Sequence, residues 1–318
     1  MQTRREVLPS RMHETCDALV VGAGIVGAAT AFRLTERGLR VRIIEAADAP
    51  ATGSTGRSAA GVRVQFASDL NVRLSLAGIE EYREFQDRYG LPSGYRPQGY
   101  LFLVPQPLWE AHAEGIRVQR SAGAPVQELT PEEAQAIVPF DATGIHAATY
   151  GPIDGVVDPH VLTSGYLKMA RDRGTTLHLE HPVTAARYEA ETWRIDTPRA
   201  TFEAPIVVNA AGRLGRRSGA HGKPRRAHRA GAAHGVHHRS ACGAARVPPH
   251  HRHGQRRLLR SEGERVLFGR SNPDELQGST RAWTGLGSKP PSNPACLASP
   301  SLKRLGSTGT RVGGGTTR

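Results

Sequence analysis

Three glycines and one acid carry the first sign of chemistry in this chain. Gly22, Gly24 and Gly27 stand in the spacing G-x-G-x-x-G directly after an apolar run that ends at Val21, and Glu45 follows about 20 residues later. Each residue type has a mechanical reason to be there. Gly22 permits a tight turn, Gly24 lets backbone approach a pyrophosphate, and Gly27 lets a helix lie close on the preceding strand. Ala23, Ile25 and Val26 fill the positions between them, where backbone N–H groups at a helix start attract phosphate. A carboxylate at Glu45, with Ala46 beyond it, can accept from both hydroxyls of an adenosine ribose and repels a 2′-phosphate. The set describes a dinucleotide cradle; the plain alternative is a βαβ core with no ligand.

The elements that must position these residues are legible around them. Asp17 to Val21 reads as a strand, and Ile25, Ala28, Ala29, Phe32 and Leu34 mark one face of a helix that Gly38 can end. Val41 to Glu45 is the second strand. After it, Ala51 to Phe66 is small, polar and glycine-rich, and its reading is helical from about Ser58, with Ser54, Thr55 and Ser58 as cap candidates. A second loop-to-helix start so soon after the ribose acid offers more backbone donors than NAD requires and suits FAD, so Ser54, Thr55, Arg57, Ser58 and Ala59 join the candidate cofactor contacts. The plain reading of this stretch is a polar loop before a surface helix.

These residues, together with GYLFLV (99–104), YGPIDGVVDP (150–159) and VVNAAG (207–212), resemble the D-amino-acid oxidase-like FAD oxidoreductases, which include sarcosine oxidase β-subunits, glycine oxidases and dimethylglycine dehydrogenases. The resemblance covers about 17–212 and 263–275. It implies FAD as cofactor, a small amine or amino acid as substrate, and oxidation of a C–N bond by hydride transfer to the flavin. It implies that the backbone at Val183 lies against the adenine and that Ala210, Ala211 and Gly212 return the chain to the cofactor. In one branch a histidine before an Ala-Ala-Gly carries the flavin covalently. Ser58 stands there, before Ala59, Ala60 and Gly61, so the expectation is non-covalent FAD.

Between the motifs, Asn71 to Tyr89 carries Leu74, Leu76, Ile79, Tyr82 and Phe85 at helical spacing, read as a core stripe. GYLFLV reads as a strand, Leu108 to Gln119 as a helix, Thr130-Pro-Glu-Glu as a capped helix start running through Ala136, and His146 to Tyr150 as a strand. Asp154-Gly155 and Asp158-Pro159 are turn chemistry, with Pro159 opening a helix through Arg171. Thr176 to Leu179 resumes a strand; a hairpin and a last buried strand ending in VVNAAG follow. The expected architecture is α/β, a Rossmann-type FAD-binding domain with an interleaved α+β substrate domain on an antiparallel sheet. Its expected spans are 17–66 for the FAD core, 67–94 for its helical continuation, 95–180 for the substrate domain and 181–212 for the return.

No catalytic residue is assignable: no Ser/His/Asp set or paired-acid motif is present, and the flavin itself carries the chemistry. Arg63 is the one cation in this part of the chain placed to reach a flavin edge or a substrate carboxylate, with a surface ion pair as its plain reading.

The net charge of +13 is unevenly spread. Residues 1–212 hold 21 basic and 25 acidic side chains, residues 213–257 hold 12 basic and none acidic, and residues 258–318 hold 9 and 4. The tract 213–257 lacks aromatic residues and has almost no large aliphatic ones, so it cannot build a core and reads as unstructured. Three readings of it stay open: a nucleic-acid arm, a metal tract on His237, His238, His250, His251 and His253, and an out-of-frame or degenerate segment. Composition favours the third, because arginine without aromatic platforms is a poor base-stacking surface and histidines without second-shell carboxylates need form no defined metal site. Neither nucleic acid nor metal is therefore an expected partner. Residues 258–275 read as an isolated family-like strand, its strand and polar turn at 263–275, and 276–318 as an irregular tail; a chain with such a C-terminal third is expected to risk losing turnover. A non-catalytic FAD- or ADP-binding remnant is the alternative function. Cys16, Cys242 and Cys296 form no C-x-x-C pair, Arg4-Arg5 is followed by polar residues rather than an apolar export segment, and no window approaches the ~18 apolar residues of a membrane span, so a cytoplasmic protein is expected.

Overall fold

The structure, a computed structural model, describes residues 12–212 and 215, and the backbone of His234–Arg239, Arg257–Glu262 and Arg265–Arg270. In chain order its elements are β1 (Met12–Thr15), β2 (Ala18–Val21), α1 (Ile25–Thr35), β3 (Val41–Ile44), β4 (Gly61–Val62), α2 (Asp69–Arg83), α3 (Phe85–Tyr89), β5 (Tyr100–Val104), α4 (Gln106–Ser121), β6 (Gln127–Leu129) and α5 (Pro131–Ile137). There follow β7 (Ala147–Gly151), β8 (Gly155–Val156), α6 (Pro159–Arg171), β9 (Thr176–His178), β10 (Ala185–Glu189), β11 (Thr192–Asp196), β12 (Ala200–Ala204), β13 (Ile206–Asn209), β14 (His234–Arg239), β15 (Arg257–Glu262) and β16 (Arg265–Arg270). The chain divides into two compact units, 1–100 with 115–125 and 151–228, and 101–114 with 126–150 and 229–318.

The first unit is built on a parallel sheet in the order β13-β2-β3-β9. β2 is buried at all four residues because both faces of the sheet are covered, which is why it reads as a continuous apolar run rather than an alternating one. Alternate side chains go to opposite cores. Ala18, Val20, Val41 and Ile43 pack with Ala28, Ala31 and Phe32 of α1 and Leu162, Tyr166 and Met169 of α6. Leu19, Val21 and Ile44 face the other way, onto Ile195, Ala200, Phe202 and Ala204. Those last residues belong to a second sheet, β1-β12-β11-β10, an antiparallel meander to which β1 adds in parallel. The hairpin between β10 and β11 turns on Ala190 and Glu191, both with positive φ.

Several sequence readings hold to the residue. α6 begins at Pro159 and ends at Arg171, with Asp158 capping the N–H groups of His160 and Val161. α5 carries the full capping box of Thr130 and Glu133. Three readings need correction. Leu74, placed in the core stripe of the helix after the glycine loop, is 62% exposed, while Ile79 and Phe85 of that stripe are buried and Val72 joins them; the stripe is carried by two helices, α2 ending at Arg83 and α3 starting at Phe85. The strand ending in VVNAAG is half-buried rather than buried, because among the described residues it pairs on one side only, with β2. β1 lies in a stretch read only as polar, with no element assigned; its partner β12 is 188 residues away and supplies the ladder that its own sequence does not announce.

The second unit holds the antiparallel sheet β5-β7-β6 with α5 against it, around Ala134, Phe140 and Ala148. In it His112 on α4 bonds Thr149 on β7, Nε2 to Oγ1 at 2.9 Å, and stacks beside Trp109. The backbone of β14, β16 and β15 forms an antiparallel sheet in that order. So Arg265–Arg270 is not an isolated strand, and part of the basic tract pairs with it; the rest of the readings for 213–318, and the Arg4-Arg5 reading, lie outside the described residues.

Candidate functional site

The glycine turn follows β2 and opens α1. Gly22 has φ +105°, and a Cβ there would lie 2.7 Å from the carbonyl oxygen of Ala210, so only glycine lets the turn pass beside the end of β13. A Cβ on Gly27 would sit 1.9 Å from the carbonyl oxygen of Gly22. The first turn of α1 is thus in backbone contact with the strand that precedes it. Gly24 takes the N-cap position with no side chain of its own to offer, and the Thr55 hydroxyl substitutes for one, accepting the Ile25 N–H at 3.1 Å. Val26, on the outer side of this turn, is 64% exposed. With no acidic residue in its first turn, α1 keeps the partial positive charge of its N-terminus for an anion.

Glu45 closes the other side. Its Oε2 accepts the Ala23 N–H at 2.8 Å and its Oε1 accepts the Ala47 N–H at 3.0 Å. An ionised carboxylate has about four acceptor sites, so each oxygen keeps capacity for a further donor such as a ribose hydroxyl. The backbone of Glu45 is fixed from the neighbouring strand: its N–H goes to the His178 carbonyl at 2.8 Å and its carbonyl takes the His181 N–H at 2.8 Å. That second bond brings the segment carrying Val183 to Glu45, with Val183 itself packed on the core around Ile44 and Phe202. Ala46, next to Glu45, is exposed.

The stretch after Glu45 departs from its sequence reading. No helix begins at Ser58; residues 51–58 form a series of turns and Gly61–Val62 is a strand paired with Gly155–Val156. Two glycines weaken any helix there, and the Ser58 hydroxyl accepts the Ala60 N–H at 2.9 Å, a local bond that competes with helical bonding. The turns are still pinned to the cradle. Ala51 gives its N–H to the Ala23 carbonyl at 3.2 Å and accepts that of Gly56 at 2.8 Å, and a Cβ on Gly56 would collide with the His160 ring at 2.8 Å. Of the cap candidates, Thr55 caps α1 rather than its own segment, and Ser54 and Ser58 are exposed; of the other candidate cofactor contacts here, Arg57 is exposed and Ala59 half-buried.

Ala210 and Ala211 lie against Gly22, with the Ala211 N–H on the Asn209 side chain at 3.2 Å, and Gly212 has φ +56°. Arg63 is half-buried, its guanidinium 5.0 Å from the centre of the Phe66 ring. Beyond it stands a residue that sequence reasoning took for turn chemistry alone. Asp154 is fully buried; its Oδ1 accepts the Val64 N–H at 2.7 Å and its Oδ2 the Gln65 Nε2 at 3.0 Å. Burial pushes its carboxyl up to about 6, against the pull of Gln65, the Val64 N–H and the positive charge of Arg63. An Asp-Gly pair is a turn signal in any sequence, and its partners are 89 and 90 residues away.

The cradle has the form that the adenosine and pyrophosphate of a dinucleotide require: backbone at every point where a Cβ would intrude, a helix N-terminus without acids, and a carboxylate with acceptor capacity left. The family model of FAD dependent oxidoreductases matches residues 17–295. The chain belongs to that family. Among curated proteins this member of the FAD-dependent oxidoreductases is 28% identical to human mitochondrial dimethylglycine dehydrogenase over 204 residues, which are 63% of this chain and 23% of the relative. It is 29% identical over 231 residues to the bovine FAD-dependent oxidoreductase domain-containing protein 1, 63% of this chain and 48% of that one. The chain thus matches between about a quarter and a half of the length of these relatives. Among solved structures it is similar to L-proline dehydrogenase from P. horikoshii, with TM-score 0.69, 26% identity, 81% of this chain and 70% of that one covered. Glycine oxidase from Geobacillus kaustophilus gives TM-score 0.63, 26% identity, and coverage of 81% and 71%. Among the described residues, no helix is long and apolar enough to cross a membrane.

Proposed function

We propose that this flavoprotein oxidises the C–N bond of a small amine or amino acid, of the sarcosine, glycine or D-amino-acid kind, with FAD held non-covalently. The observation that carries the reading is the cradle itself: Gly22 and Gly27 leave room only for backbone, and Glu45 presents a carboxylate tied by Ala23 and Ala47 at its mouth. The relatives named above whose names state a substrate, dimethylglycine, proline and glycine, act on a secondary or tertiary amine or an amino acid, and they support that substrate class. Ser58, where a covalent branch of the family has histidine, supports a flavin that exchanges.

Bound FAD supplies the acceptor for a hydride from the carbon beside the substrate nitrogen. The chain's own part is to hold and orient. The turn of α1 offers backbone N–H groups and the partial positive charge of a helix N-terminus to the pyrophosphate, Glu45 fixes the ribose, and Thr55 locks the 51–58 turns onto the helix start so that the following segment has one position. Arg63, at the start of that segment's buried part, is the cation for a substrate carboxylate. Such a role leaves the amine end oriented rather than bound, which suits a family whose members accept different amines.

The test is the visible absorption spectrum of the purified full-length chain, read again after anaerobic addition of sarcosine, dimethylglycine, glycine, proline and D-alanine. An oxidised flavin band that bleaches with one of them is the expected result. A band that forms on addition of FAD yet stays oxidised with every amine would replace the enzyme reading by that of a flavin-binding remnant, and no uptake of FAD would refute both.

A further inference from the structure

Asp154 is the buried acid that the cofactor cradle leaves unused. Its surroundings come from three places in the first unit. Val64 and Gln65 donate to its two oxygens from the segment that follows the cofactor turns. The same Gln65 amide also donates to the Tyr100 carbonyl at 3.0 Å, tying that segment to the start of β5. From the Gly151–Gly155 loop itself, a Cβ on Gly151 would lie 2.2 Å from Oδ2, so the loop wraps the carboxylate in backbone. The charged and titratable groups facing it are Arg63, which draws its proton off, and the Tyr95 phenol, which feels its charge and bonds the Ile153 carbonyl. Gly61 and Val62, on the other side of Arg63, pair with Val156 and Gly155. Gly61–Val62 and Val64–Gln65, on either side of Arg63, are therefore both held from the one stretch, 154–156, that carries Asp154.

A carboxylate fully out of water is a costly anchor for a turn, and a neutral amide could cap Val64 equally well. What the charge adds is a short charge-assisted bond to a backbone N–H, next to the only arginine of the segment. We propose that Asp154 is a positioning residue for the flavin end of the site: through Val64 and Gln65 it holds the 61–66 segment, and with it Arg63, in the place where the isoalloxazine and the substrate carboxylate are received. This rests on the reading that the 51–66 stretch lines the flavin. The adenosine end, set by Gly22, Gly27 and Glu45, shares none of these contacts.

That separation makes the inference testable by comparing two ligands on the full-length chain. ADP fills only the adenosine end; FAD fills both. In Asp154→Asn the Val64 bond survives, but the new amide faces the Gln65 amide donor to donor, and Gln65→Leu removes the same leg from the other side. Both variants are expected to bind ADP within twofold of the parent and FAD at least tenfold more weakly, measured by fluorescence quenching. A second readout is pH. Parent FAD affinity is expected to fall as pH drops through about 6, where the clamp loses its charge, while Asp154→Asn stays flat. Equal loss of ADP and FAD affinity in both variants would make Asp154 merely structural, and unchanged FAD affinity would refute the clamp. A parent chain that binds ADP but no FAD would instead overturn the reading of the site, and this inference with it.

Discussion

Replacing Gly27 by alanine sets two effects of known sign against each other. In a helix interior, glycine to alanine gains about 0.8–1 kcal/mol, because alanine has less backbone freedom to lose. At Gly27 the added methyl would start 1.9 Å from the Gly22 carbonyl oxygen, 3.0 Å from its carbon and 3.4 Å from a Val20 methyl. Two of these neighbours are backbone of the glycine turn and cannot rotate away. To reach ordinary contact the helix start must lift from β2 by more than an ångström, which typically costs 1–3 kcal/mol or more in a packed interior and offsets the propensity gain. Gly78 in the middle of α2 is the control: there a Cβ meets nothing nearer than the Tyr82 hydroxyl at 3.7 Å, an ordinary contact. The expectation is that G78A stabilises the chain by about 0.5–1 kcal/mol. G27A should destabilise it by roughly 1–2 kcal/mol and weaken ADP binding as the turn opens. Urea unfolding of the three proteins with common slopes, and ADP titration of each, decide the matter. A G27A protein as stable as G78A, with parental ADP affinity, would show that α1 does not press on the glycine turn and would remove the physical basis of the cradle.

Further outcomes follow from single contacts. Glu45→Gln keeps one acceptor but turns an amide toward a backbone N–H, and loss of a charge-assisted bond worth about 1.5–3 kcal/mol predicts roughly 10- to 100-fold weaker ADP binding, read by calorimetry. Thr55→Val keeps the shape but leaves the Ile25 N–H without its acceptor; a drop of about 1 kcal/mol in urea stability is expected, with Thr55→Ser restoring most of it. pH separates two acids. Asp154 is raised from near 3.8 to about 6 in the fold, so its burial favours the protonated native state, and stability on its account is lost as pH rises from about 4 to 7. Relative to the parent, Asp154→Asn should therefore gain up to about 3 kcal/mol across that range, and a constant difference between the two would contradict the raised value. Asp196 runs the opposite way: burial alone would raise it, but the Thr201 hydroxyl with Arg187 and Arg194 hold it low, so its contribution is present at neutral pH and fades in acid. Acid titration of Asp196→Asn should show a smaller loss below pH 4 than the parent.

Sequence by itself determined the parts whose signals are local. The glycine turn, α1 and Glu45 fall within about 30 residues of each other, and each residue type has one reason to be where it is, so strand, helix, strand and acid were readable without the fold. The caps of α5 and α6 were readable for the same reason, since Thr130 with Glu133 and Asp158 with Pro159 satisfy their own first turns. The tertiary structure decided what depends on distant partners. Thr55 looked like the cap of a helix beginning nearby and instead caps α1, because the 51–58 turns fold back onto Ala23. Leu74 kept helical spacing yet faces outward, because periodicity marks a stripe without saying which neighbour covers it. β1 has no pattern of its own and exists through its pairing with β12. Asp154 reads as a turn residue until Val64 and Gln65 arrive from 90 residues earlier in the chain and remove it from water; only then does a carboxylate become a clamp with a pKa displaced toward neutrality.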